Sequence, residues 1–154
     1  QKLIELVGHG SNDNTDDAAM NMAIQRTQVV RRALLAQGVP AAQIRTRAVG
    51  NRKPLYYFEK ETWQRSVNRR VELRWLDPAL LPFEIAAEQA ASEEEALKIT
   101  ERWEQRGQKA YFERVIINKN PTYRVKLWGY PTIASAKDTA KQLQKQFKMA
   151  LLVE

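Results

Sequence analysis

The chain has 154 residues, with no cysteine and a single histidine, His9. These counts exclude a disulfide scaffold, a thiol enzyme, a zinc module with cysteine ligands and an iron–sulfur protein, and we predict no metal ion and no cofactor. The 25 lysines and arginines exceed the 18 aspartates and glutamates, so the formal net charge is +7. A basic excess of this size suits an anionic partner and equally a well-solvated surface.

Strand and helix patterns alternate through the first half of the chain. Its predicted elements are strands at 3–7, 44–49 and 70–75 and a helix at 18–37. The first strand is apolar on both faces, which is typical of a central strand covered on both sides. Gly38 and Pro40 end the helix in the usual order. The connection before the last strand carries an aromatic cluster at 56–58 and then Trp63.

The second half follows a proline-marked linker at 78–82, because Pro78 and Pro82 can neither donate to a ladder nor continue a helix. Its predicted elements are strands at 83–87, 109–117, 123–128 and 150–153 and helices at 92–107 and 135–147. This order is the ferredoxin-like βαββαβ arrangement. We therefore predict an α+β fold made of two small αβ sandwiches, at 1–77 and 83–154.

Several short motifs of the first half occur in a characteristic order. They are IELVGH at 4–9, QRTQVV at 25–30, GVP at 38–40, VG at 49–50 with Pro54, and NRRVE at 68–72. In this order and spacing they resemble the OmpA-like C-terminal domain, the peptidoglycan-associating module of Gram-negative envelope proteins. The family domain begins with a strand and a helix that precede these motifs, so the resemblance implies that residues 1–77 lack that first part.

The resemblance also implies a site for the stem peptide of peptidoglycan. The family binds diaminopimelate through a loop aspartate and a helix arginine, so Arg26 is expected to grip a stem carboxylate through two parallel charge-assisted hydrogen bonds. An alignment without gaps from Arg26 places Ser11 at the position of the acid, whereas Asp13 fits if a small loop insertion is offset in the helix. Both registers remain open. The predicted stem-peptide residues are Asp13, Asn21, Arg26, Asn68 and Arg69.

The second half contains one strand of mixed character, YRVKLWGY at 123–130. Strand geometry turns Val125 and Leu127 to one face and Arg124, Lys126 and Trp128 to the other. Because the apolar set must meet the two helices, the open sheet face is expected to carry two cations and an exposed indole.

This strand, the aromatic Tyr130, the helix start at 135–136 and the short last strand resemble the SPOR (sporulation-related repeat) domain. SPOR domains bind septal glycan strands stripped of stem peptides, through the sheet face and the first helix. The resemblance implies a glycan site of Arg124, Lys126, Trp128 and Tyr130. Trp128 stands where the family usually has glycine, and Ala86 where a glutamine is common.

The two resemblances together predict a non-catalytic peptidoglycan-binding protein of the periplasm, associated with the cell wall or the outer membrane. No catalytic motif accompanies His9, and no apolar run reaches the roughly 20 residues that membrane insertion needs. One alternative is a protein–protein interaction module with an envelope partner, such as a flagellar stator complex. A third alternative is the binding of single-stranded nucleic acid. It is disfavoured because Glu84 and Glu88 are expected to add negative charge to the sheet face.

Overall fold

The computed structural model describes residues 2–12 and 15–154, and its contacts separate residues 3–76 from residues 77–154 as two compact units. Each unit combines helices with one β-sheet, so the predicted α+β fold class is confirmed. No helix in the described part of the chain is long and apolar enough to cross a membrane.

The first unit is a three-stranded sheet with helices. Its elements are β1 (Leu3–His9), α1 (Asp16–Ala36), β2 (Ile44–Gly50), α2 (Thr62–Asn68) and β3 (Val71–Leu76). The strand order is β2-β1-β3, with β1 parallel to β2 and antiparallel to β3. The central position of β1 explains its apolar sequence, since Leu6 and Val7 point to opposite faces and both are buried.

The carboxyl end of β1 lies unusually close to α1. A Cβ atom at Gly8 would stand 2.3 Å from the carbonyl oxygen of Ala23, so only glycine permits this approach. Gly10, in the loop that follows β1, also lies close to the start of α1, because its Cβ would stand 3.0 Å from the carbonyl oxygen of Ala19.

The helix α2 is not among the predicted elements, and it lies within the connection that precedes β3. Seven residues give too few turns for a periodic pattern to emerge. Its start is stabilised by a capping box, in which Glu61 and Gln64 exchange side-chain and backbone hydrogen bonds. Trp63, in its first turn, packs edge-to-face on Tyr56 with 5.2 Å between ring centroids.

The second unit has the predicted βαββαβ order. Its elements are β4 (Phe83–Ala90), α3 (Glu93–Gln105), β5 (Ala110–Ile117), β6 (Asn120–Tyr130), α4 (Ile133–Phe147) and β7 (Leu152–Val153). The strands form a fully antiparallel sheet in the order β5-β6-β4-β7. Ile85, Leu127 and Trp103 are fully buried in its core.

Local chemistry sets the ends of these elements. The side chain of Ser92 accepts a hydrogen bond from the backbone N–H of Glu95 and caps α3. Thr132 caps α4 in the same way through Ser135, so this helix begins two residues earlier than predicted. Asn118 and Lys119 both have positive φ and form a tight turn, which lets β6 begin at Asn120.

Candidate functional site

Two of the predicted stem-peptide residues donate hydrogen bonds to the carboxyl end of β1 and to the loop that follows it. Arg26, on α1, donates from Nη1 to the carbonyl oxygen of His9 at 3.1 Å. Arg69, directly after α2, donates from Nε to the hydroxyl of Ser11 at 2.9 Å. Ser11 itself is buried. The two guanidinium groups therefore contact residues 9 and 11, which are two positions apart in the chain.

The other predicted residues of this site take different places. Asn21 is exposed on α1, and its spacing from Arg26 places the two side chains about 140° apart around the helix, so the structure does not bring them together. Asp13 lies outside the described residues.

Asn68 is buried with 0% of its surface exposed, and its amide is fully used. Its oxygen accepts the backbone N–H groups of Leu55 and Tyr56 at 2.8 and 3.1 Å. Its nitrogen donates to the carbonyl of Tyr56 at 2.9 Å and to Glu59 at 2.8 Å. No capacity is left for a ligand, which corrects the expected direct contact: Asn68 acts by fixing the connection at 55–59.

Glu59, which is not among the predicted residues, belongs to the hydrogen-bond network around Asn68. Its side chain is 5% exposed, and Oε1 also accepts the backbone N–H of Asn12 at 2.9 Å. Glu59 thus ties the loop after β1 to the connection before α2. Its partners lie 9 and 47 residues away, so no sequence spacing signals this role.

The second arginine of the NRRVE motif points away from Ser11 and supports the strand end. Arg70 donates to Glu72 Oε1 from Nε and Nη2 at 3.0 and 2.7 Å, and Arg74 donates to the other oxygen. The hydrogen bond from Arg70 is the main cause that lowers the pKa of Glu72 to about 2. Burial and the Arg70 charge lower the pKa of the buried His9, whose Nε2 lies 3.5 Å from Glu72, so the imidazole is neutral at pH 7.

In the second unit, the predicted cations of β6 are embedded among carboxylates. Lys126 is 8% exposed, and its ammonium lies 3.3, 3.1 and 2.9 Å from Glu84, Glu113 and Glu154. Burial acts to lower the pKa of Lys126, but its hydrogen bonds to Glu154 and Glu113 outweigh that effect and raise it. Lys126 therefore remains charged at the centre of three carboxylates.

Arg124 extends this network along the same face. Its guanidinium pairs with Glu113 at 3.6 Å and also with Glu154. Glu113 lies opposite Arg124 in the register of β5 and β6. This cross-strand pairing could have identified Glu113 as a partner of Arg124 from the sequence. The face carries an interleaved set of charges rather than two isolated cations.

Trp128 is not the exposed indole that strand alternation predicts. Only 4% of its surface is accessible, and the Lys109 ammonium lies 5.3 Å from its ring centroid. The indole N–H has no hydrogen-bond partner among the described residues. Alternation identifies which side of a strand a residue takes but not what covers that side, so the prediction of exposure was wrong.

A β-bulge separates Tyr130 from the rest of the predicted glycan site. Phe83 pairs with Tyr130 and Ile85 with Leu127, so β6 has one more residue than β4 over this interval. Gly129 takes φ +100° within the bulge. Burial raises the pKa of Tyr130 to about 12, although a hydrogen bond with Thr139 of α4 opposes the shift. Tyr130 therefore packs on the helix side, away from Lys126.

Glu88 also lies on a different side from the one predicted. A second bulge in β4 lies between Ala86 and Glu88. Glu88 then accepts the indole N–H of the buried Trp103 at 2.8 Å and pairs with Arg102 of α3 at 2.7 Å. Its charge is directed to the helix layer, whereas Glu84 remains with Lys126.

The structure thus defines two small αβ domains, the first with guanidinium groups at a strand end and the second with an ion-pair network on a sheet face. Residues 1–69 match the OmpA family, and residues 83–153 match the SPOR domain. The chain therefore carries an OmpA family domain followed by a SPOR domain, which confirms both resemblances.

A search of solved structures finds the peptidoglycan-associated lipoprotein from Burkholderia pseudomallei, at 28% sequence identity and a TM-score of 0.47. The match covers 49% of this chain and 64% of that structure, so the chain spans less than two thirds of this relative. No curated protein matches the chain.

Proposed function

We propose that the chain is a non-catalytic peptidoglycan-binding part of a Gram-negative envelope protein, located in the periplasm in contact with the cell wall or the outer membrane. The first unit would hold the diaminopimelate of the stem peptide, and the second would hold glycan strands from which the stem peptides have been removed. The succession of an OmpA family domain and a SPOR domain supports peptidoglycan as the ligand.

The observation that carries the first part is that Arg26 and Arg69 donate to residues 9 and 11, at the end of β1 and in the loop just after it. The bond from Arg26 to the His9 carbonyl orients the guanidinium at the strand end, where the stem carboxylate is expected. Ser11 is buried and accepts a hydrogen bond from Arg69, so it is poorly placed to receive a ligand ammonium. This favours Asp13 as the acid of the site.

For the second unit we propose that sugar hydroxyls are recognised by the charged network and not by stacking on Trp128. Arg124, Glu113 and Glu154 keep 26%, 24% and 32% of their side chains accessible. Together they offer donors and acceptors held in fixed geometry, which suits hydroxyl groups. The same carboxylates would repel a phosphate backbone, which disfavours a nucleic acid ligand.

Cosedimentation of the full chain with isolated sacculi tests the proposal, before and after an amidase removes the stem peptides. Binding to intact sacculi supports the function of the first unit, and binding retained or increased after stripping supports that of the second. No binding to either material would contradict the proposal and favour a protein partner in the envelope.

A further inference from the structure

The connection between β2 and α2 exposes two adjacent aromatic rings that the proposed stem-peptide site does not use. Tyr57 is 75% exposed and Phe58 is 81% exposed, while the neighbouring Tyr56 packs on Trp63. Aromatic rings are costly to leave in water, and a pair of them beside a cleft indicates a ligand surface.

Both rings line such a cleft. It is shallow and open to solvent, with a volume of about 390 Å³, and polar side chains complete its wall. These are Asn12, Glu59, Lys60 and Arg65. The lining therefore combines flat apolar faces with amide, ammonium and guanidinium donors.

The wall of the cleft is rigidly held although the rings are exposed. Asn12 donates its backbone N–H to Glu59 at 2.9 Å and its amide to the carbonyl of Tyr57 at 3.3 Å. Glu59 is held in turn by Asn68 at 2.8 Å. The main chain that presents the two rings is thus fixed before any ligand arrives, which reduces the entropy lost on binding.

We propose that this cleft is a saccharide subsite, which takes a pyranose ring of the glycan strand that carries the bound stem peptide. A pyranose offers a C–H face for Tyr57 or Phe58 and a rim of hydroxyl and acetamido oxygens for Lys60 and Arg65. Asn12 follows Ser11, so the cleft and the proposed stem-peptide site share one loop. Sugar and peptide are covalently joined in peptidoglycan. A single ligand that carries both would therefore need a sugar subsite next to the peptide subsite. The inference rests on the proposed function of the first unit.

The test measures the affinity of the full chain for a disaccharide–tripeptide that contains diaminopimelate and for the same tripeptide without sugar. The wild type should bind the sugar-bearing ligand more tightly. Tyr57→Ala and Phe58→Ala should each lower the affinity for the sugar-bearing ligand by about 3- to 10-fold. The affinity for the free tripeptide should not change. Both side chains are exposed, so neither variant should disturb the fold. Leu73→Ala, an exposed apolar change on β3, is the control and should alter neither affinity.

Equal wild-type affinity for the two ligands would overturn the subsite, and so would an equal loss for both ligands in the variants. If the wild type binds neither ligand, the proposed stem-peptide function fails, and a chitin tetrasaccharide then tests the cleft by itself. Binding of that oligosaccharide, lost in Phe58→Ala, would support a saccharide site. Its absence, or binding of a single-stranded oligonucleotide instead, would overturn it.

Discussion

At the scale of single residues, the arginines of the first unit differ in the groups to which their guanidinium groups donate. Arg26 donates to a backbone carbonyl oxygen at a strand end, which orients its guanidinium. Arg70, by contrast, is committed to Glu72 and supports the strand itself. On the proposed function, removal of Arg26 should affect binding more than removal of Arg70 does.

Arg26→Ala should weaken binding of a diaminopimelate-containing stem peptide by roughly 2 to 5 kcal/mol, because a ligand carboxylate would lose its charged partner. Arg26→Lys should recover only part of the affinity, since an ammonium cannot form the two parallel bonds of a guanidinium. Calorimetric titration measures both. Arg32→Ala, an exposed arginine on the same helix, is the matched control. Unchanged affinity in Arg26→Ala would contradict the assigned role.

Glu72 provides a prediction on pH. Its pKa is lowered to about 2 in the folded chain from an ordinary value of 4.5, so the folded state binds fewer protons than the unfolded state between these values. The stability it contributes is complete above pH 4.5 and declines as the pH falls toward 2. Glu72→Gln should therefore lower the free energy of unfolding at pH 7 but have little effect near pH 2. Urea unfolding at both pH values measures this, and an equal effect at both would refute it.

At the scale of elements, close approaches and bulges decide where the functional side chains stand. Gly8 lets β1 touch α1, and this contact places the His9 carbonyl within reach of Arg26. The bulge at Gly129 in β6 instead separates two predicted site residues, because Tyr130 faces the helices while Lys126 stays on the open face of the sheet.

Gly8→Ala should both destabilise the chain and weaken stem-peptide binding. Its Cβ would meet backbone atoms of α1 and force the strand away from the helix, at a cost of roughly 3 kcal/mol. Gly38→Ala is the comparison, because its φ of +86° is strained for alanine but no atom lies within 4 Å. It should cost about 1 to 2 kcal/mol and leave binding intact. Thermal unfolding and peptide titration of both variants distinguish the two effects.

At the scale of the whole molecule, the chain consists of two units with separate cores and separate candidate sites. The first buries Leu6 and Ile44, and the second buries Ile85 and Trp103. On the proposed function, each unit would hold a different part of one polymer, and joint binding would exceed either alone if the linker allows both to engage.

Variants in the two units should therefore have separable effects. Arg124→Ala should weaken binding to amidase-stripped sacculi by about tenfold, since a charged hydrogen bond contributes roughly 1.5 kcal/mol or more. It should leave the affinity for a soluble stem peptide unchanged, whereas Arg26→Ala should show the reverse pattern. Cosedimentation and peptide titration of both variants test this. If each variant weakened both activities alike, independent sites would be refuted.

The order of nearly all elements and the identity of both domains could be predicted from the amino-acid sequence. Periodicity, caps and turn residues act over a few positions, so strands such as 44–49 and the helix stop at Gly38 can be recognised locally. The helix α2 was not predicted, because seven residues are too few to show a helical pattern of apolar positions. The motif at 68–72 was recognised and Arg69 was assigned to the site, but spacing did not show that the amide of Asn68 is buried and fully hydrogen-bonded within the domain.

The contacts of each side chain, by contrast, depend on the three-dimensional fold. All hydrogen-bonding groups of the Asn68 amide are used by the connection at 55–59, and Lys126 is surrounded by carboxylates from β4, from β5 and from the residue after β7. Trp128 takes the side of β6 that alternation predicts, yet it is buried. Hydrogen bonds, ion pairs and burial depend on atoms that are distant in sequence, and no local pattern specifies them. For that reason the sequence identified the domains, and the fold determined which of their residues remain available to a ligand.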